Sequence, residues 1–189
     1  FTWEPSIEHS DVLRSYERYV VCGMGGSHLG AWLLKRYGHA PNIVIHRDYG
    51  LPELSEEDWK NTLVILSSYS GNTEEVLDSG RKALSRNLPL AAISVGGELL
   101  EFAKGHNLPY IQIPDLGLEP RMAIGFSMLG IARLIQRPDI EESVRDAGKA
   151  MDPFTYQQEG ERLAALLEHK TPSIFASASN TALAYLWKI

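Results

Sequence analysis

The segment Ser67-Ser68-Tyr69-Ser70-Gly71-Asn72-Thr73-Glu74-Glu75 gathers hydroxyls around a Gly–Asn turn, directly after the apolar run Leu63–Leu66 and directly before helix-forming residues. Unpaired backbone N–H groups and the positive end of a helix dipole favour an anion at such a place. Hydroxyls donate hydrogen bonds without carrying charge, which suits an acidic chain that holds a dianion reversibly. Ordinary capping explains part of the pattern, because Asn72 or Thr73 with a nearby glutamate resembles a capping box. A cap needs one hydroxyl, however, and here there is a cluster.

Two further segments carry chemistry. Gly23-Met24-Gly25-Gly26-Ser27 lies between another apolar run and another helical stretch, and its glycines permit a sharp turn and a close approach to a ligand. Its spacing is neither the GxGxxG of dinucleotide loops nor a P-loop, so it is either a ligand-lining loop or a tight turn with no ligand. Gly117-Leu118-Glu119-Pro120-Arg121 precedes the helical stretch Met122–Gln136. Proline is expected at a helix start, but a cation in the first turn opposes the dipole. Arg121 therefore either reaches into a crevice, to hold a phosphate or stabilise a negative intermediate, or pairs with Glu119 or another surface carboxylate. Of the six histidines only His28 lies in a candidate ligand loop, and the other five show no metal-ligand spacing. Glu74 and Glu75 are either a source of a catalytic base or solvated first-turn carboxylates. No nucleophile–base dyad and no metal cluster can be read from the chain.

These loops need elements to position them. Apolar, β-branched runs at Tyr19–Gly23, Asn42–His46, Leu63–Ser67, Leu90–Val95 and Tyr110–Ile113 read as five buried strands. Helical spacing at His28–Tyr37, Thr73–Ser85, Glu98–Lys104 and Met122–Gln136 places helices between and after them. Alternation of strands and helices predicts an α/β fold, a five-stranded parallel sheet with helices on both faces. Ligands bind such sheets at the carboxyl ends of the strands, where strand order reverses. The candidate loops all follow strands and so open on that edge.

The composition narrows the function. With 44% hydrophobic and 22% charged residues the chain is globular, and no apolar run of 18 or more residues is present to span a membrane. The start, FTWEPSIEHSD, is too acidic for a signal peptide, so the reading is cytoplasmic. A net charge of −6 with no basic stripe argues against nucleic acid, and an anionic ligand must be bound locally. The single cysteine, Cys22, excludes an internal disulfide and reads as a small buried residue.

The stretch Arg137–Thr155 reads as a charged connection with two prolines, and Tyr156–His169 as an amphipathic helix. Ser173–Ile189 then reads strand, small polar loop, helix, a loose echo of VVCGMGGSHLGAWLLK. The expected organisation is one domain over residues 1–155, then a connecting helix and the first strand and helix of a second, similar domain over 156–189.

Taken together, CGMGGS, SSYSGNTEE and EPRMAIGFS resemble the signature stretches of the bifunctional phosphoglucose/phosphomannose isomerase family of sugar isomerase (SIS) proteins, over roughly Val20 to Leu134. The resemblance implies a flavodoxin-like three-layer sandwich. It implies that Ser68, Ser70 and Thr73 bind the sugar phosphate, that Gly25, Gly26 and Ser27 line the sugar, and that Arg121 stabilises a charged intermediate. The reaction implied is aldose–ketose isomerisation of glucose 6-phosphate or mannose 6-phosphate to fructose 6-phosphate through an enediolate, with no cofactor or metal and as a homodimer. In the family the glutamate base, a ring-opening histidine and a C-terminal lysine come from the second SIS domain, so the base is expected beyond Ile189 and this chain alone is expected to bind without turnover. His28 stands where the family usually has a small residue, so the shape of the sugar pocket does not carry over. The alternative is a regulatory SIS module that senses a phosphosugar and never catalyses.

Overall fold

Val20, Val21 and Cys22 are consecutive and all buried, as are Thr62 to Ser67, so these segments must have apolar layers on both sides. In the computed structural model, which describes residues 2–37, 40 and 42–187, they are the inner strands of one parallel sheet. The strands are β1 (Arg18–Cys22), β2 (Ile43–His46), β3 (Thr62–Ser67), β4 (Leu90–Ser94) and β5 (Tyr110–Gln112), ordered β2-β1-β3-β4-β5. Every neighbouring pair is parallel, with Tyr19 opposite both Ile43 and Leu63 across the β1 registers.

Alternate residues feed two cores, as the strand period of two requires. Val21, Ile43, Leu63, Ile65, Ile93 and Ile111 face α1 (Leu29–Tyr37), α5 (Ile124–Leu134) and α6 (Pro138–Ala150). Val20, Cys22, Val64, Leu66 and Ala92 face α2 (Glu56–Lys60), α3 (Glu74–Ser85) and α4 (Gly97–Gly105). The expected α/β sheet with helices on both faces is thus observed. Burial pushes the Cys22 thiol up to about 12, which leaves it an inert core residue.

Four elements differ from the sequence reading. The stretch read as a charged connection contains a helix, α6: Pro138 opens it rather than breaking it, and Pro153 likewise opens α7 (Pro153–Leu167). A short helix, α2, was absent from the reading; Ser55 caps it by accepting a bond from Asp58 N. The helix expected over Met122–Gln136 is the shorter α5, so Arg121 lies in a turn ahead of it rather than in its first turn. The strand expected near Ser173 does not form: Phe175 is 94% exposed and no ladder continues the sheet there. The helix expected after it is present as α8 (Thr181–Leu186), which packs on α1 through Arg36 Nε to Ser179 O and Tyr37 Oη to Asn180 Oδ1. Residues 188–189 of that reading lie outside the described residues.

Candidate functional site

Strand order reverses between β1 and β3, because β1 is followed by β2 on one side while β3 lies on the other. The loops after these two strands are therefore drawn apart above the sheet and frame a crevice. Ser27 ties them together. Its Oγ accepts from Tyr69 N at 3.0 Å, and its carbonyl accepts from Ser67 Oγ at 3.1 Å and Ser127 Oγ at 3.3 Å. The resemblance placed Ser27 on the sugar and gave Ser67 and Ser127 no role of their own; the structure buries all three as the knot between β1, β3 and α5.

In the β3 loop, Ser68 is buried, Thr73 half-buried and Ser70 exposed. Ser68 Oγ lies 2.7 Å from Thr73 Oγ1 and accepts from Gly71 N at 3.1 Å, while Ser70 Oγ accepts from Asn72 N at 3.3 Å. Thr73 is the N-cap of α3 yet makes no side-chain capping bond, because its hydroxyl is turned to Ser68. The capping reading therefore fails for Thr73, and Asn72 Oδ1 instead accepts from Glu98 N. What remains is a helix N-terminus without a side-chain cap, with the hydroxyls of Ser68, Ser70 and Thr73 grouped at its mouth, the arrangement that suits a phosphate. Glu74 turns to Tyr49, whose hydroxyl donates to its Oε2 at 3.1 Å.

Gly71, at φ 77°, presses on the next loop: a Cβ there would stand 1.8 Å from Gly96 O. Gly26 does the same for the third segment, where a Cβ would meet Pro120 O at 2.7 Å and Arg121 N at 2.8 Å. The GGS loop and the Glu119–Ala123 turn are consequently in backbone contact, which brings Arg121 to the mouth of the crevice. Arg121 makes no ion pair among the described residues, with Glu119 or any other.

Beside these loops is a cavity of about 540 Å³ lined by Met24, Gly25, His28, Arg47, Asp48, Arg121 and Tyr185. Of the expected sugar-lining residues Gly25 reaches it, whereas Gly26 and Ser27 are buried behind it; Ser68, Ser70 and Thr73 belong to the adjoining loop rather than to its wall. Arg47, Asp48 and Tyr185 were not foreseen, since they follow β2 and come from α8, segments with no motif. Another cavity of about 550 Å³ is lined by tail residues such as Pro172, Ile174 and Trp187 and shares Tyr185 with the first. Among the described residues no group of three or more His, Cys, Asp or Glu is placed to hold a metal, and no helix is long and apolar enough to cross a membrane.

His28 is 1% exposed, and neither ring nitrogen makes a well-formed hydrogen bond, although the Gly25 backbone lies close enough to favour the protonated ring. Burial and then the nearby Arg47 guanidinium bring its pKa down to about 4 from 6.5. The sign follows directly: the unfolded chain takes up a proton near 6.5 and the folded one resists until about 4. Its contribution is complete above pH 6.5 and is lost as pH falls toward 4. Thermal unfolding of the wild type should therefore lose stability across that window, and His28→Gln should flatten this part of the profile; parallel profiles would remove His28 as its source.

The chain folds as an SIS-type α/β domain, a parallel sheet in this order with the two loops at its switch point. A candidate phosphosugar isomerase from Bacillus subtilis shares the fold at a TM-score of 0.54 and 17% identity, covering 95% of this chain and 60% of that one. No family model matches the chain. A bifunctional phosphoglucose/phosphomannose isomerase from Caldicellulosiruptor bescii is 34% identical over 91% of this chain and 55% of the relative. One from Aquifex aeolicus is 29% identical over 100% of this chain and 58% of the relative. The chain is thus similar over nine-tenths or more of its own length to bifunctional phosphoglucose/phosphomannose isomerases, and it spans little more than half the length of these relatives.

Proposed function

We propose that this chain is the phosphosugar-binding SIS domain of an aldose–ketose isomerase that interconverts glucose 6-phosphate or mannose 6-phosphate with fructose 6-phosphate. The observation that carries the reading is the group of three hydroxyls at the α3 N-terminus, which has no side-chain cap, beside a cavity that holds Arg121. Ser68, Ser70 and Thr73 take the phosphate, Gly25 borders the sugar, and Gly26 and Ser27 hold the loop in place. Isomerisation moves a proton between adjacent carbons and leaves negative charge on the substrate oxygens. Arg121, a fixed cation at the crevice, stabilises that charge without acting as the base. The base and the ring-opening group are assigned to sequence beyond this chain, matching the share of the relatives that it does not cover. On this reading residues 1–155 are the N-terminal SIS domain and 156–189 lead into a second one. Cytoplasmic residence and a homodimer belong to the same proposal.

Thermal-shift titration of the chain with fructose 6-phosphate, against free fructose and sulfate, tests it. Saturation at 100 times the dissociation constant adds about 2.7 kcal/mol to the folded state. Stabilisation by the phosphosugar alone is the expected result, and equal stabilisation by sulfate would reduce the site to a general anion site. An isomerase assay of the full-length protein then separates an enzyme from a sensing module, which binds and does not turn over. Ser70→Ala should weaken fructose 6-phosphate binding by about 1–3 kcal/mol, because the charged phosphate loses a hydrogen bond. Unchanged affinity by calorimetry would take Ser70 out of the site.

A further inference from the structure

Of the side chains lining the cavity, His28 is the one that is fully buried with neither ring nitrogen in a well-formed hydrogen bond, although the Gly25 backbone lies near the ring. A buried polar atom without a partner is costly, and most such atoms find one. The ring cannot turn to seek a partner elsewhere in the protein. It is clamped by Trp32 and by the edge of Tyr185, each at 5.7 Å between centroids, and those two rings are themselves 5.8 Å apart. Arg47 closes the same wall, its guanidinium 5.5 Å over Trp32 and 5.6 Å over Tyr185. An apolar residue would fill this space with no unpaired group.

The chemistry of the surroundings says what the missing partner is. With Arg47 and Arg121 lining the same cavity, a third cation is disfavoured, so the imidazole offers one donor and one acceptor. A phosphate dianion has only acceptors and would use half of that capacity. A sugar hydroxyl, which both donates and accepts, or an open-chain carbonyl oxygen flanked by hydroxyls, uses it fully. We propose that His28 is a specificity-determining residue whose imidazole hydrogen-bonds a hydroxyl or carbonyl oxygen on the sugar portion of the ligand, away from the phosphate. This rests on the phosphosugar reading above and adds to it the group that separates a phosphosugar from phosphate alone.

Calorimetric titration of the chain and its variants with fructose 6-phosphate and, separately, inorganic phosphate provides the test. His28→Phe, which keeps the bulk and removes both nitrogens, should weaken fructose 6-phosphate binding about 10-fold or more, while inorganic phosphate binding stays within about 2-fold. His28→Gln, which keeps a donor and an acceptor, should recover most of the difference. Should the Phe variant fail to unfold cooperatively, His28→Ala takes its place with the same expectation. Undiminished fructose 6-phosphate affinity in the Phe variant would overturn the proposal, as would equal losses for both ligands or a Gln variant no better than Phe. If the wild type binds neither ligand, the phosphosugar reading itself falls and takes this inference with it. A wild type that binds both while the variants match it overturns the role of His28 alone.

Discussion

Gly71→Ala should destabilise the chain by about 3 kcal/mol or more, lowering its melting temperature by about 10 °C. The reason is geometric. The new Cβ would stand 1.8 Å from Gly96 O and 2.7 Å from Gly96 C, both backbone atoms that cannot rotate aside. Gly71 also sits at φ 77°, where a side chain adds strain of its own. Nor can the two loops separate cheaply. Gly71 O accepts from Leu99 N at 2.8 Å and Tyr69 O from Val95 N at 3.0 Å, so the β3 loop is stitched to the start of α4. Gly97 meets it from the other side, its own Cβ position 2.5 Å from Ser70 O. A melting curve by circular dichroism checks this, and a melting temperature within 2 or 3 °C of wild type (about 1 kcal/mol) would mean that the two loops part easily.

Gly26→Ala should act on binding as well as on stability. Its φ is ordinary, so the penalty comes only from the contact with Pro120 and Arg121, of about 1–3 kcal/mol for an overpacked methyl. Relief comes by pushing the Glu119–Ala123 turn outward, and Arg121 moves with it. Fructose 6-phosphate binding should weaken about 10-fold or more, equal to about 1.4 kcal/mol. Calorimetry checks this, and undiminished affinity would show that the Gly26 contact does not set the position of Arg121.

Much of this was open to sequence reasoning because parallel strands covered on both faces are written as continuous apolar runs. Each of the five runs became a strand within one residue at either end, Tyr19–Gly23 becoming Arg18–Cys22 and Leu63–Ser67 becoming Thr62–Ser67. The β3 loop was visible for a related reason: hydroxyls and glycine at a strand-to-helix junction are a local pattern, complete within nine residues. Where local pattern and context disagree, the reading failed. Arg137–Thr155, with its two prolines, read as a connection because a proline that opens a helix and one that ends it are the same residue, and only the chain after it decides. The run near Ser173 has strand composition but finds no neighbouring strand to complete a ladder, and a strand does not form without one.

By itself, then, the sequence determined the strands, the flanking helices, the hydroxyl cluster of the Ser68–Thr73 loop and the glycines that let the loops approach. These rest on residue types and short-range spacing. The tertiary structure decided which hydroxyls are exposed and which serve as struts, with Ser27 in the knot between loops. It decided that Arg47 and Tyr185, 138 positions apart in the chain, share one wall with His28. No local pattern encodes that wall. It exists only once β2 and α8 are brought beside the β1 loop, by the strand order on one side and the packing of α8 on α1 on the other.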